Sequence, residues 1–176
     1  DEIDMVINIG AMLDGNYALM RGDILRVATV VANMNEQLSS NIILKVIQEN
    51  CALSEDQIIL ATKTIGDVAK EAGIHIFAKT STGFGVPKND QTPKGATLED
   101  VEVMNKIAHA YRATDIMMGV KAAGGVGDVD TAISMMIAGG CFDENMQLVL
   151  NPSDVFRIGA SAGKKMVDEM TVDLHE

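Results

Sequence analysis

The segment Phe77-Ala78-Lys79-Thr80-Ser81-Thr82-Gly83 ends an apolar run on a lysine, followed at once by three hydroxyl side chains and a glycine. Burial disfavours the ammonium form of a lysine, and the neutral amine is the species that attacks a carbonyl to form an imine. The same residue also reads as a strand-end lysine whose stem lies on apolar surface while its head reaches water. Met118-Gly119-Val120-Lys121-Ala122-Ala123-Gly124-Gly125 repeats the layout of apolar run, lysine and small residues. At equivalent ends of neighbouring parallel strands, about 4.8 Å apart, Lys79 and Lys121 repel each other as ammonium ions. That repulsion lowers the pKa of at least one, giving a neutral nucleophile beside a cation. Asp4 in Asp4-Met5-Val6-Ile7-Asn8-Ile9-Gly10, and Lys45 and Glu49 in Leu44-Lys45-Val46-Ile47-Gln48-Glu49, add charge on strand-like segments. Each of these reads equally as a solvated strand end.

The elements that would position these residues alternate. Short apolar runs at Met5 to Ile9, Ile42 to Ile47, His75 to Lys79, Met117 to Lys121 and Val155 to Ile158 read as strands. Longer amphipathic stretches read as helices: Tyr17 to Asn33, Ser54 to Gly73, Thr97 to about Tyr111, Val129 to Ala138, and a last one beginning near Ala160. Ser54 with Gln57 forms a capping-box pattern, Thr97 with Asp100 a second capping signal, and Gly73 a terminator. Five βα units in strict alternation predict parallel strands, in either a doubly wound sheet or a barrel. Periodicity does not choose between them, and in both the site falls on the C-terminal edge of the strands.

Composition excludes several classes. The chain has 176 residues, 47% of them hydrophobic and 22% charged, enough for one domain over 1–176, and no apolar run approaches a membrane span. Lys and Arg total 14 against 25 Asp and Glu, so a net charge of -11 opposes nucleic acid unless the cations are locally concentrated. Cys51 and Cys141 form neither a C-x-x-C pair nor a disulfide framework, which fits buried thiols and a reducing cytoplasm. Gly83-Phe84-Gly85 lacks the third glycine of a dinucleotide fingerprint, and His75, His109 and His175 lack metal-ligand spacing. Gly66 fits helix packing. The chain enters an apolar stretch almost immediately after Asp1, a start that fits processing, truncation or a missing upstream segment.

Taken in order, EIDMVINIG, LKVIQEN, FAKTSTGFG, GVKAAGG and FRIGASAG resemble the deoxyribose-phosphate aldolases, across essentially the whole chain. The resemblance implies a TIM (β/α)8 barrel and a cytoplasmic class I aldolase, a lyase that needs neither metal nor cofactor. Its expected reaction is reversible cleavage of 2-deoxy-D-ribose 5-phosphate to acetaldehyde and D-glyceraldehyde 3-phosphate. By the same resemblance Lys79 would form the imine, Lys121 would be the cation that perturbs it, and Asp4 would be the acid/base. Thr82 would assist the proton relay and Lys45 would hold Asp4 and Lys121 in a charged network. Gly124, Gly125, Gly159, Ala160 and Ser161 would receive the substrate phosphate at a helix N-terminus.

Length departs from the family pattern. The five units correspond to the fourth through eighth strands of the barrel, and five strands cannot close one. Another polypeptide segment or a homo-oligomer partner is therefore expected to complete the wall. Phe84 to Lys94 is longer than the family's connection, and Ala162 stands where the family often has serine. The alternatives are a noncatalytic partial-barrel subunit and an imine-forming aldolase with a different donor.

Overall fold

The computed structural model describes residues 1–160 and 163–172. Its five strands are β1 (Glu2–Val6), β2 (Ile43–Ile47), β3 (Ile76–Lys79), β4 (Met118–Ala123) and β5 (Phe156–Gly159). They form one parallel sheet in the order β1-β2-β3-β4-β5. Strand order that follows the chain without reversal has no topological switch point, which separates a barrel arc from a doubly wound sheet. The long helices between strands are α2 (Tyr17–Leu38), α3 (Glu55–Ala72), α4 (Leu98–Arg112) and α5 (Val129–Ala138), and each packs on the next. Short helices α1 (Ile9–Leu13) and α6 (Pro152–Val155) flank β1 and β5, and α7 (Gly163–Val172) follows.

Period-two alternation sorts each strand between two faces. Leu44 and Val46, Ile76 and Ala78, and Met118 and Val120 join residues of α2, α3 and α4 in the principal hydrophobic cluster. The intervening positions Asp4, Lys45, Phe77, Lys79, Lys121 and Arg157 look the other way, onto the concave face. The curl is direct to see, because Arg157 on β5 pairs with Glu2 on β1. Four inter-strand steps at about 4.8 Å span roughly 19 Å of backbone, too far for these side chains to meet across a flat sheet.

Local chemistry sets several boundaries. Ser54 and Gln57 complete the capping box, and Gly73 closes α3 in the left-handed conformation at φ +64°. Gly66 gives α4 close approach, since a Cβ there would lie 2.4 Å from the Tyr111 ring. Thr97 caps α4 by accepting from Asp100 N–H, and both cysteines are buried free thiols.

The expected first strand, Met5 to Ile9, is displaced. The strand covers Glu2–Val6, and Ile9 already belongs to α1, which Asn8 caps by accepting from Ala11 N–H. Inward charges at Glu2 and Asp4 give the true strand a polar look, while the apolar residues after it continue into a helix. The second helix runs to Leu38, five residues beyond Asn33. The stretch before β5 contains a bridge between Phe142 and Leu148 and then α6, which moves the strand start from Val155 to Phe156. Helix α7 is described from Gly163. Ser161, Ala162 and His175 lie outside the described residues. No helix among the described residues is long and apolar enough to cross a membrane.

Candidate active site

Sheet register assembles the charged cluster row by row. Asp4 is paired with Lys45 and Lys45 with Phe77, and the next inward row runs from Ile47 through Lys79 and Lys121 to Arg157. Lys79 and Lys121 are therefore direct cross-strand partners on β3 and β4. Asp4 lies between two amines, with Oδ2 2.6 Å from Lys45 Nζ and Oδ1 3.0 Å from Lys79 Nζ. Glu2 also takes Lys45 at 2.9 Å and, through its other oxygen, Arg157. The Lys45 side chain is only 7% exposed, so these two carboxylates supply the charge compensation that burial demands.

The cluster tunes its members in opposite directions. Burial alone would raise the Asp4 carboxyl, but hydrogen bonds and charge from Lys45 and Lys79 hold it below the usual carboxylate range. Glu2 is lowered chiefly by its hydrogen bond to Lys45, against burial and with help from Arg157. For Lys45, burial pulls the ammonium down, and the Asp4 and Glu2 carboxylates outweigh it to push the pKa up. Lys121 goes the other way: burial pushes it down first, and Lys45 and Lys79 push it further. Burial and its neighbours thus push Lys121 toward the neutral amine, and Lys79 sits in an ion pair with Asp4.

A pH dependence follows. The folded Glu2 and Asp4 values lie below the unfolded ones, so their stabilisation is complete above the ordinary carboxylate pKa near 4 and is lost as pH falls through the lowered values. Thermal melts from about pH 6 to pH 3 are expected to show a steep loss of Tm below pH 4 in the wild type. The loss is expected to be shallower in a Glu2→Gln, Asp4→Asn double variant, whose folded and unfolded states lack that difference. Equal slopes would contradict the network.

The loop after Lys79 is pinned from two sides. Thr80 Oγ1 accepts from Ala123 N–H at 3.1 Å, tying the ends of β3 and β4 together. Thr82 donates through both its amide and its hydroxyl to Glu49. Glu49 is 3% exposed, so it is not a solvated strand end. Beyond it a cavity of about 630 Å³ opens among Ile9, Leu13, Thr82, Phe84 and Val86.

The expected phosphate-binding residues are only partly gathered. Gly124 and Gly125 follow β4 with φ of +76° and +77°, conformations suited to glycine. Gly124 N–H donates 3.2 Å to Gly159 O and so is engaged in joining β4 to β5. Gly159 lies against Lys121, whose Cε would be 3.3 Å from a Cβ there. Ala160 follows β5.

Three further residues belong to the cluster: Glu2, Arg157 and Phe77. The guanidinium of Arg157 lies 4.4 Å from the Phe77 ring centroid, and His75 stacks on that ring at 5.0 Å. Glu2 was findable, since it is two residues before Asp4 and so on the same strand face. Arg157 carried no such signal, because its partner lies 155 residues away. No group of three His, Cys, Asp or Glu among the described residues could hold a metal ion.

Parallel strands in chain order, helices on the convex side and an amine-rich concave face make this a partial α/β barrel. The chain is similar, over part of their length, to proteins named deoxyribose-phosphate aldolase. It is 39% identical to the deoxyribose-phosphate aldolase of Thermococcus gammatolerans over 168 residues, 96% of this chain and 57% of the relative. It is 43% identical to that of Aciduliprofundum boonei over 139 residues, 79% of this chain and 52% of the relative. A solved structure from Coccidioides immitis, provisionally called a deoxyribose-phosphate aldolase, superposes with a TM-score of 0.66 at 29% identity. That match covers 97% of this chain and 52% of the other. The chain thus spans a little over half the length of these relatives. No protein-family model matches it.

Proposed function

We propose that the chain contributes the lysine-bearing part of a class I aldolase that reversibly cleaves 2-deoxy-D-ribose 5-phosphate to acetaldehyde and D-glyceraldehyde 3-phosphate. The observation that carries this reading is the triad of Lys79, Lys121 and Asp4 on one concave face, with Lys79 and Lys121 in register and Asp4 3.0 Å from Lys79. Proton transfer from Lys79 to Asp4 gives the neutral amine and a carboxylic acid in one step. The amine adds to the substrate aldehyde, and the acid returns its proton as the carbinolamine loses water. The resulting iminium is an electron sink, so the bond between the second and third carbons breaks as the third-carbon hydroxyl gives up its proton. The enamine is then protonated, and hydrolysis releases acetaldehyde and regenerates Lys79.

Lys121 stands beside the imine on the adjacent strand, its ammonium form weakened by burial and by Lys45 and Lys79, while Lys45 holds Asp4 in place and Thr82 assists the movement of the hydroxyl proton. Four cations, Lys45, Lys79, Lys121 and Arg157, face two carboxylates, Glu2 and Asp4, so the concave face is locally positive within an acidic chain and suits a phosphorylated sugar. Gly125, Ala160 and Ser161 are the phosphate contacts in this reading, with Gly124 and Gly159 shaping the turn between β4 and β5.

Residues 1–176 form one domain equivalent to the C-terminal five-eighths of the barrel, working in the cytoplasm. Edge strands β1 and β5 pair with strands from another polypeptide segment or a homo-oligomer partner, which completes the wall. The reading is tested by native mass measurement with identification of any co-purifying chain, followed by assay of the assembly with 2-deoxy-D-ribose 5-phosphate. An assembly larger than 18.8 kDa that releases acetaldehyde is expected. A lone monomer with full activity would contradict the completed-barrel account, and an assembly without activity would contradict the aldolase.

A further inference from the structure

Glu49 is an acidic residue in the wrong place for a structural ornament. It is 3% exposed, and its backbone is left-handed, with φ 59° and ψ 59°. A non-glycine residue keeps that conformation only where the surroundings over-determine it, and such positions gather at functional sites. Flanking residues do the determining: Gln48 N–H donates 2.9 Å to Lys79 O, and Asn50 N–H donates 2.9 Å to Thr80 O. The chain at Glu49 is thus stitched on both sides to the strand end that carries Lys79.

The carboxylate then reaches past that strand end to Thr82. Oε1 accepts from Thr82 N–H at 3.1 Å, and Oε2 accepts from the Thr82 hydroxyl. Cys51 Sγ lies 3.9 Å from Oε1. Gly85 closes the other side, since a Cβ at that position would fall 2.6 Å from Glu49 Cδ. Side-chain accounting at Thr82 gives the consequence. A threonine hydroxyl has one hydrogen and two lone pairs. The hydrogen goes to Glu49, and one lone pair accepts from Phe84 N–H at 3.0 Å. One lone pair remains, so Thr82 meets an incoming hydroxyl as an acceptor.

We infer that Glu49 is a positioning residue for the reaction: it fixes the Lys79–Gly85 loop and sets the Thr82 hydroxyl as the acceptor for the substrate hydroxyl whose proton leaves during carbon–carbon cleavage. The inference rests on the aldolase reading and adds a residue to it. The proton balance is closed. As the substrate oxygen loses its proton to Thr82 Oγ1, the hydrogen of Thr82 passes to Glu49 Oε2, leaving a neutral carboxylic acid. In the cleavage direction the reverse shift delivers that proton through Thr82 to the enamine carbon, and in the synthetic direction to the product hydroxyl, so both groups are restored in either case.

The experiment is a double-mutant cycle on the native assembly, joined to amide hydrogen exchange. Glu49→Gln keeps the shape and leaves one acceptor oxygen for two donors. Its kcat is expected to fall at least about tenfold, short of the roughly 10²- to 10⁴-fold of a full proton-transfer contribution because one acceptor oxygen remains, with KM within about twofold. In a Thr82→Val background the same change is expected to cost almost nothing further, because Glu49 acts through the missing hydroxyl. An equal loss in both backgrounds, or no loss in either, would overturn the inference.

Exchange of the Thr82 and Phe84 amides separates this from failure of the aldolase reading. If the wild type neither turns over nor traps an imine, the aldolase reading is lost, yet the hold on the loop is still read directly. In the wild type Thr82 N–H is expected to be among the slowest of the 80–88 amides, and Glu49→Gln to speed it at least about tenfold. Fast exchange in the wild type would overturn the inference even if the variant does not fold.

Discussion

If the proposed aldolase reading holds, alanine at position 79 is expected to lower the assembly's turnover of 2-deoxy-D-ribose 5-phosphate by at least about 10⁴-fold, the scale seen when an essential covalent group is removed. The reason is chemical rather than structural. Without the amine there is no imine, and without the imine the electrons of the breaking bond have no sink. The substitution should be mild for folding, because the Lys79 side chain is 16% exposed and its ion-pair partner Asp4 retains Lys45 at 2.6 Å. A Tm close to that of the wild type with activity lost is the expected pair of results. A variant that keeps a tenth of the activity would move the chemistry elsewhere.

The second large effect is on stability, at Gly119. A Cβ there would lie 2.3 Å from the Phe77 ring, closer than a real methyl group can come. The ring is fully buried, with Arg157 at 4.4 Å from its centroid and His75 at 5.0 Å, so it has little room to retreat. Gly119→Ala is expected to cost about 3 kcal/mol, near the upper end for overpacking. For a domain of this size that is a fall in Tm of about 6–12 °C. Pairing it with Phe77→Leu, which frees space at the same contact, should recover part of the loss. If the double variant is as unstable as the sum of the two singles, the clash is not the cause.

These two positions also show why part of the molecule was legible in the sequence and part was not. Lys79 and Lys121 announce themselves because each ends an apolar run followed by small or hydroxyl residues, and parallel neighbours bring equivalent ends together. The helix caps at Ser54 and Thr97 are local, so their residues suffice to predict them. Gly119 looks like any strand glycine until register sets Phe77 opposite it. The choice of a barrel arc over a doubly wound sheet needed strand order, which periodicity does not carry. The displaced first strand has the same root, because charges facing a polar concave site mimic a solvated segment.

The partners of Arg157 and Glu49 lie beyond local reading for a related reason. Arg157 meets Glu2 only because the sheet curls through five strands. Glu49 reaches Thr82 from the adjacent strand through a left-handed backbone that no glycine marks. Charge assignments within the lysine pair depended on geometry too. Repulsion alone is symmetric, whereas the Asp4 ion pair falls on Lys79 and burial weighs on Lys121.

The asymmetry sets the most direct measurement of the central claim: reduction with borohydride in the presence of acetaldehyde, followed by peptide mapping of the trapped ethyl group. The account predicts the modification on Lys79, abolished by Lys79→Ala and retained at reduced rate in Lys121→Met. Modification of Lys121 instead, or trapping that survives Lys79→Ala undiminished, would contradict it.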